Sequence, residues 1–152
     1  MESLMYEKLY QCIAEGDVVN FANEFSFLKS NELNGLEINH VFLNSVENNE
    51  IEIIRYLLKF NIGRSVFSFS GETVLHTMVL RRNFEFIEFL LKNGFDVDRR
   101  DDRGYTSLIN SIYGGDKEII QFLLNWGADL EVKTPDETPG DALRRKGFTE
   151  FL

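Results

Sequence analysis

Catalysis requires a nucleophile beside a base, an acid–base pair, or a cluster of metal-ligating side chains, and few residues of this chain could supply one. There are two histidines, His40 and His76, and a single cysteine, Cys12, none of them close to another in sequence. No spacing among them matches a zinc or other metal site. The stretch Tyr113-Gly114-Gly115-Asp116 is glycine-rich, but it has neither the Lys-Ser/Thr ending nor the preceding strand that a phosphate loop needs. The run Arg99-Arg100-Asp101-Asp102-Arg103 is balanced in charge, a poor nucleic-acid patch and a plausible polar contact surface. Arg144-Arg145-Lys146 is an isolated basic trio that reads as a solvated helix face. The expectation is a protein that is not an enzyme and has no catalytic residues, no metal and no cofactor.

The elements that carry these residues repeat. Gly71-Glu72-Thr73-Val74-Leu75-His76 aligns with Gly104-Tyr105-Thr106-Ser107-Leu108-Ile109 at an offset of 33 residues. The same offset takes Tyr56-Leu57-Leu58 onto Phe89-Leu90-Leu91 and then onto Phe122-Leu123-Leu124. It also generates the series Asp17, Glu50, Asn83, Asp116 and the apolar series Leu9, Phe42, Leu75, Leu108. An internal period of this length signals a repeat architecture. Within the third copy, Thr73 is placed to cap a first helix whose Leu75, Met78 and Val79 share a face. Arg82-Asn83 interrupts that helix. A second helix runs through Phe86, Ile87, Phe89, Leu90 and Leu91 and stops at Gly94, a residue suited to a left-handed cap; Asn61 holds the same place one copy earlier.

The period, with Thr73-Val74-Leu75-His76 opening a first helix and Gly127-Ala128-Asp129 following a second, resembles the ankyrin repeat. The resemblance implies an all-α fold: a solenoid of about four helix-turn-helix repeats (1–33, 34–67, 68–100, 101–133) and a truncated C-terminal capping repeat (134–152), together one domain. Thr138-Pro139 and Gly147 mark the last unit, which has one residue deleted before Thr138. His40-Val41-Phe42-Leu43 is a degenerate opening motif, with His40 expected at a turn or on the surface, and Leu28–Asn39 could form an irregular longer loop. The family uses the His76 position to hydrogen-bond neighbouring turns. Cys12 aligns with Ser45, Met78 and Ser111, where such helices pack a small residue, so it reads as a buried hydrophobe rather than a reactive thiol. The terminal Phe151 and Leu152 are expected to lie over the last repeat.

Composition limits the function classes. A hydrophobic fraction of 43% and a charged fraction of 27% suit a globular chain. The acidic start of the chain lacks the features of a signal peptide, no apolar run is long enough to span a membrane, and one cysteine suits a reducing, cytoplasmic compartment. The net charge of −9 is uneven: residues 1–50 hold nine acids against two bases. That field disfavours nucleic acid and anionic membrane and favours a basic protein partner.

The resemblance places the partner on a concave face formed by loop tips and first helices. Carried over by register, the contact positions are Glu37 and Glu47 in the second copy and Phe67, Phe69, Glu72, Leu80 and Arg81 in the third. In the fourth they are Arg100, Asp102, Arg103, Tyr105 and Tyr113. Phe67 and Phe69 could instead fold inward. Aromatic and arginine side chains at such positions are the types enriched in interface hot spots. The expected function is binding, and inhibition, of a partner protein as a monomer or one-to-one complex. Its most specific form is an immunity protein that neutralises a basic toxin. The alternatives are a viral or pathogen effector engaging a host regulatory protein, and a cellular scaffold or adaptor.

Overall fold

The computed structural model describes residues 2–29, 35–63 and 71–152, with side chains placed for 6–28, 38–63 and 71–152. The described residues are all-α apart from one isolated antiparallel bridge, Arg100 with Thr106. They fall into two compact units, Met1–Val66 and Phe67–Leu152.

The first unit contains α1 (Glu2–Glu15), α2 (Val18–Lys29), α3 (Gly35–Glu47) and α4 (Ile51–Leu58). Helix α1 packs on α2 and α3, and α4 packs on α3 and α2. Each helix contributes an apolar stripe at helical spacing: Leu9 and Ile13; Phe21, Phe25 and Leu28; Ile38, Val41, Phe42 and Val46; Ile53, Ile54 and Leu57, all buried. Tyr56 stands edge-on to both Phe21 and Phe25, and Phe60 closes the aromatic group. Cys12 is buried in this core, as are its register mates Ser45, Met78 and Ser111 in theirs. Burial first, then the carboxylates of Asp17, Glu24 and Glu15, push the Cys12 thiol above its ordinary pKa, so the inert reading of this cysteine holds.

The second unit contains α5 (Val74–Leu80), α6 (Phe84–Lys92), α7 (Ser107–Gly114), α8 (Lys117–Asn125) and α9 (Pro139–Lys146), followed by a 3₁₀ turn over Thr149–Phe151. The first helices of successive repeats pack in series, α5 on α7 and α7 on α9, while α6 and α8 each back their own partner.

The period is written into the backbone. Gly16, Asn49, Arg82 and Gly115, each 33 residues from the next, all adopt positive φ, and so do Asn61, Gly94 and Gly127. The residue after each of the first set opens the second helix of its repeat. Asp17, Asn83 and Asp116 accept the N–H of the residue three further on, whereas Glu50 makes no side-chain cap. Thr73, Thr106 and Thr138 cap the first helices in the same way.

His40 lies on the surface, one of the two places expected for it, on the exposed side of α3, which starts at Gly35. Two other expectations for the outer copies are not met. The irregular loop expected over Leu28–Asn39 is helical at both ends, and residues 30–34 lie outside the described set. At the C-terminus Leu152 is 52% exposed. Phe148, not Leu152, makes the local contacts: Lys117 Nζ sits 4.6 Å from the centre of its ring, and the Phe151 ring meets it edge-on.

Candidate partner-binding surface

The described contact candidates divide between the units. Glu47 ends α3 and is exposed, while Glu37 lies within α3 with its side chain outside the described set. Phe67 and Phe69 lie outside the described residues altogether. The remaining candidates belong to the second unit.

There the connection between repeats is built on a buried carboxylate. Asp101 is 5% exposed and accepts the backbone N–H groups of Arg103 at 3.0 Å and Tyr105 at 2.8 Å. The Arg103 side chain adds bonds from Nε at 3.1 Å and Nη2 at 2.8 Å. Burial pushes the Asp101 carboxyl up, but the Tyr105 N–H and the Arg103 guanidinium outweigh it and hold the group below its ordinary pKa. Asp101 is thus not part of the polar contact surface expected over Arg99–Arg103. It folds that segment. Asp102 is exposed, and its N–H bonds the Gly71 carbonyl at 3.0 Å. Arg103 remains exposed despite its pairing and also approaches Glu72 at 3.9 Å.

His76 ties this connection to the preceding helix. Its Nε2 lies 3.1 Å from the Tyr105 carbonyl, and its Nδ1 lies 2.7 Å from the Thr73 hydroxyl. A neutral ring protonated at Nε2 satisfies both, with Thr73 donating to Nδ1 and accepting the His76 N–H. Burial lowers the imidazole pKa, which keeps it neutral.

Tyr105 and Tyr113 come together, their rings 6.4 Å apart and edge-on. Both were expected on a solvent-facing contact surface; both are half-buried and engaged by neighbouring side chains. The Tyr105 hydroxyl donates to Asp136 at 2.7 Å, and that bond to a carboxylate raises the phenol pKa. The Arg145 guanidinium sits 5.9 Å from the centre of the Tyr113 ring and is itself paired with Glu137 at 2.5 Å. Lys146 Nζ donates to the Tyr113 carbonyl at 2.8 Å. Tyr113, Asp136, Glu137, Arg145 and Lys146 line an open depression of about 520 Å³. Arg144 pairs with Asp141, and all three members of the basic trio stand on the exposed face of α9, as expected, each with a partner.

Asp136 and Glu137 were not singled out in the sequence, and Arg145 and Lys146 were read only as part of a basic helix face. Register carry-over stopped at the fourth copy, and the one-residue deletion before Thr138 hides their equivalence to earlier positions. Leu80, 67% exposed, and Arg81 lie at the end of α5, and Arg100 is exposed beside the bridge to Thr106. Among the described residues, no group of three or more His, Cys, Asp or Glu could hold a metal ion. Nor is any described helix long and apolar enough to cross a membrane.

A family described as "Ankyrin repeats (3 copies)" matches residues 40–134. The chain belongs to the ankyrin-repeat family. Among curated proteins this ankyrin chain is similar to protein phosphatase 1 regulatory subunit 27 of Homo sapiens and of Mus musculus. Each is 29% identical over 105 residues, covering 68% of this chain and 68% of the relative.

Proposed function

We propose that this ankyrin array is a non-enzymatic module that binds a partner protein and restrains its activity. The observation that carries the reading is the repeat array itself, joined to a second unit whose exposed Leu80, Arg81, Arg100 and Arg103 accompany the Tyr105–Tyr113 pair. Aromatic rings held by internal bonds lose little conformational freedom on binding, which suits them as anchors. The acids of residues 1–50 favour and accelerate encounter with a basic partner. In its most specific form the partner is a basic toxin and the chain its immunity protein, bound one-to-one on the concave face in the cytoplasm.

A second reading is favoured by the relatives, which are named as regulatory subunits of a phosphatase. On that reading the chain is an adaptor that directs or limits an enzyme of its own cell. Affinity capture from native lysate tests both, with wild type run beside a Tyr105→Ala/Tyr113→Ala variant of verified folding. One stoichiometric partner, lost in the variant, supports binding through this surface. A basic toxin would then favour immunity and a phosphatase would favour the adaptor. Equal recovery by both versions refutes the Tyr105–Tyr113 assignment.

A further inference from the structure

Helices α5 and α7 do not close fully on each other. Between them lies a crevice of about 220 Å³, walled by Val79, Leu80 and Ile119 and floored by Ser107, Asn110 and Gly114. Gly114 is the last residue of α7 and has no positive φ, and a Cβ added there meets no atom within 4 Å. Neither backbone geometry nor packing requires glycine at this point, although glycine in a helix carries an entropic cost relative to alanine. Its effect is to leave the crevice open.

The next crevice in the series shows the alternative. Gly115 and Gly147 are the left-handed caps of α7 and α9, so Gly114 corresponds to Lys146. Lys146 reaches back to the Tyr113 carbonyl, and Arg145 covers the Tyr113 ring. Charged side chains of the chain itself thus line that site, which stays an open depression. Between α5 and α7, Gly114 presents no side chain at the corresponding place, and Leu80, the register mate of Tyr113, stands 67% exposed at the lip.

The lining defines an occupant. The charges at the mouth are engaged with one another, Arg82 with Asp116 and Glu118, so a charged guest would find no free counter-ion there. Inside, the buried Ser107 hydroxyl has no hydrogen-bond partner, and no hydrogen bond within the described residues engages the half-buried Asn110 side chain. A side-chain amide offers both donor and acceptor, the complement of a peptide group. The volume is below the roughly 300–1,000 Å³ usual for small-molecule sites and far above that of one water. It suits one or two side chains.

We infer that this crevice receives a neutral aliphatic side chain of leucine or methionine size from the partner polypeptide, whose adjacent backbone amide pairs with Asn110. The inference rests on the protein-binding reading and names the residue class that the partner presents. Gly114 sets the selectivity by staying small.

N-acetyl-leucine N-methylamide is the probe, with the corresponding lysine and glutamate amides as controls, titrated into the ¹⁵N-labelled full chain. The leucine compound should shift the Gly114, Leu80 and Asn110 side-chain resonances saturably, with an affinity on the order of millimolar for so small a ligand. Gly114→Lys, which puts a long charged side chain across the smaller crevice, should abolish those shifts. Asn110→Asp, which keeps the shape and adds a charge, should weaken binding about fivefold or more, so the test survives if one variant misfolds. Equal shifts from the charged amides, absence of saturation, or unchanged shifts in both variants would overturn the assignment. A captured partner that binds Gly114→Lys as tightly as wild type would also overturn it while leaving the protein-binding reading intact. Loss of tenfold or more in partner affinity would support it.

Discussion

Acid should weaken the second unit through His76. Both ring nitrogens are committed in the neutral form, Nε2 to the Tyr105 carbonyl and Nδ1 to the Thr73 hydroxyl. Protonation would place a charge in a site that is 1% exposed and would set an N–H against the Thr73 O–H. The folded-state pKa is lowered, chiefly by burial, so the unfolded chain binds the proton more readily. Stability from this group is therefore complete above the unfolded value of about 6.5 and is lost as pH falls below it, toward the folded pKa. One proton taken up on unfolding gives a slope of up to about 1.4 kcal/mol per pH unit within that window. His76→Gln removes the titration; losing the fitted bonds should cost about 1–3 kcal/mol at pH 7.5. Denaturant melts followed by the single tryptophan, Trp126 of the second unit, at intervals from pH 7.5 to 5.0 would measure both effects. If His76→Gln shows the same slope as wild type between pH 6.5 and 5.5, the loss arises elsewhere and the argument fails.

Two further substitutions test the turns. Asp101→Ala leaves the N–H groups of Arg103 and Tyr105 without their acceptor, and about 2–3 kcal/mol of stability should be lost, read from the same Trp126 melts. A loss below about 0.5 kcal/mol would show that water replaces the carboxylate. Gly63→Ala combines a φ of +97° with a Cβ that would stand 2.2 Å from the Phe42 ring. The first unit should lose about 2–4 kcal/mol from backbone strain and overpacking together, seen as earlier melting by circular dichroism; an unshifted transition would refute it.

The repeat was legible because its period falls on residues with fixed local tasks. The Thr73 and Thr106 caps, the left-handed turns at Gly94 and Asn61, and the His76 bridge each require a particular residue type at one position. Burial of Leu9, Phe42, Leu75 and Leu108 follows from the same register. Helix α3 was misjudged because its long apolar stripe, which packs against α1 and α4, runs through the degenerate motif and hides the repeat's opening signal. Of the contact surface, the positions of Leu80, Arg81 and Arg100 were readable as exposed, since register alone places them at a helix end or a turn. The engagement of Tyr105 by Asp136 and of Tyr113 by Arg145 was not readable. Those pairs join residues about thirty apart across a copy whose register slips by one, and pairing of side chains leaves no periodic trace.

The packing in series also bears on how quickly the chain folds. Among the described residues, every substantial helix–helix contact joins elements that are neighbours or next-but-one neighbours along the chain. Loops closed by such contacts are short, so little chain entropy is lost before a contact forms, and low contact order accompanies microsecond-to-millisecond folding. A helix pair such as α7 with α8 could form first and serve as a template for α9. Residues added in the exposed connection around Pro135 and Asp136 would then lengthen only one short closure and should slow folding little.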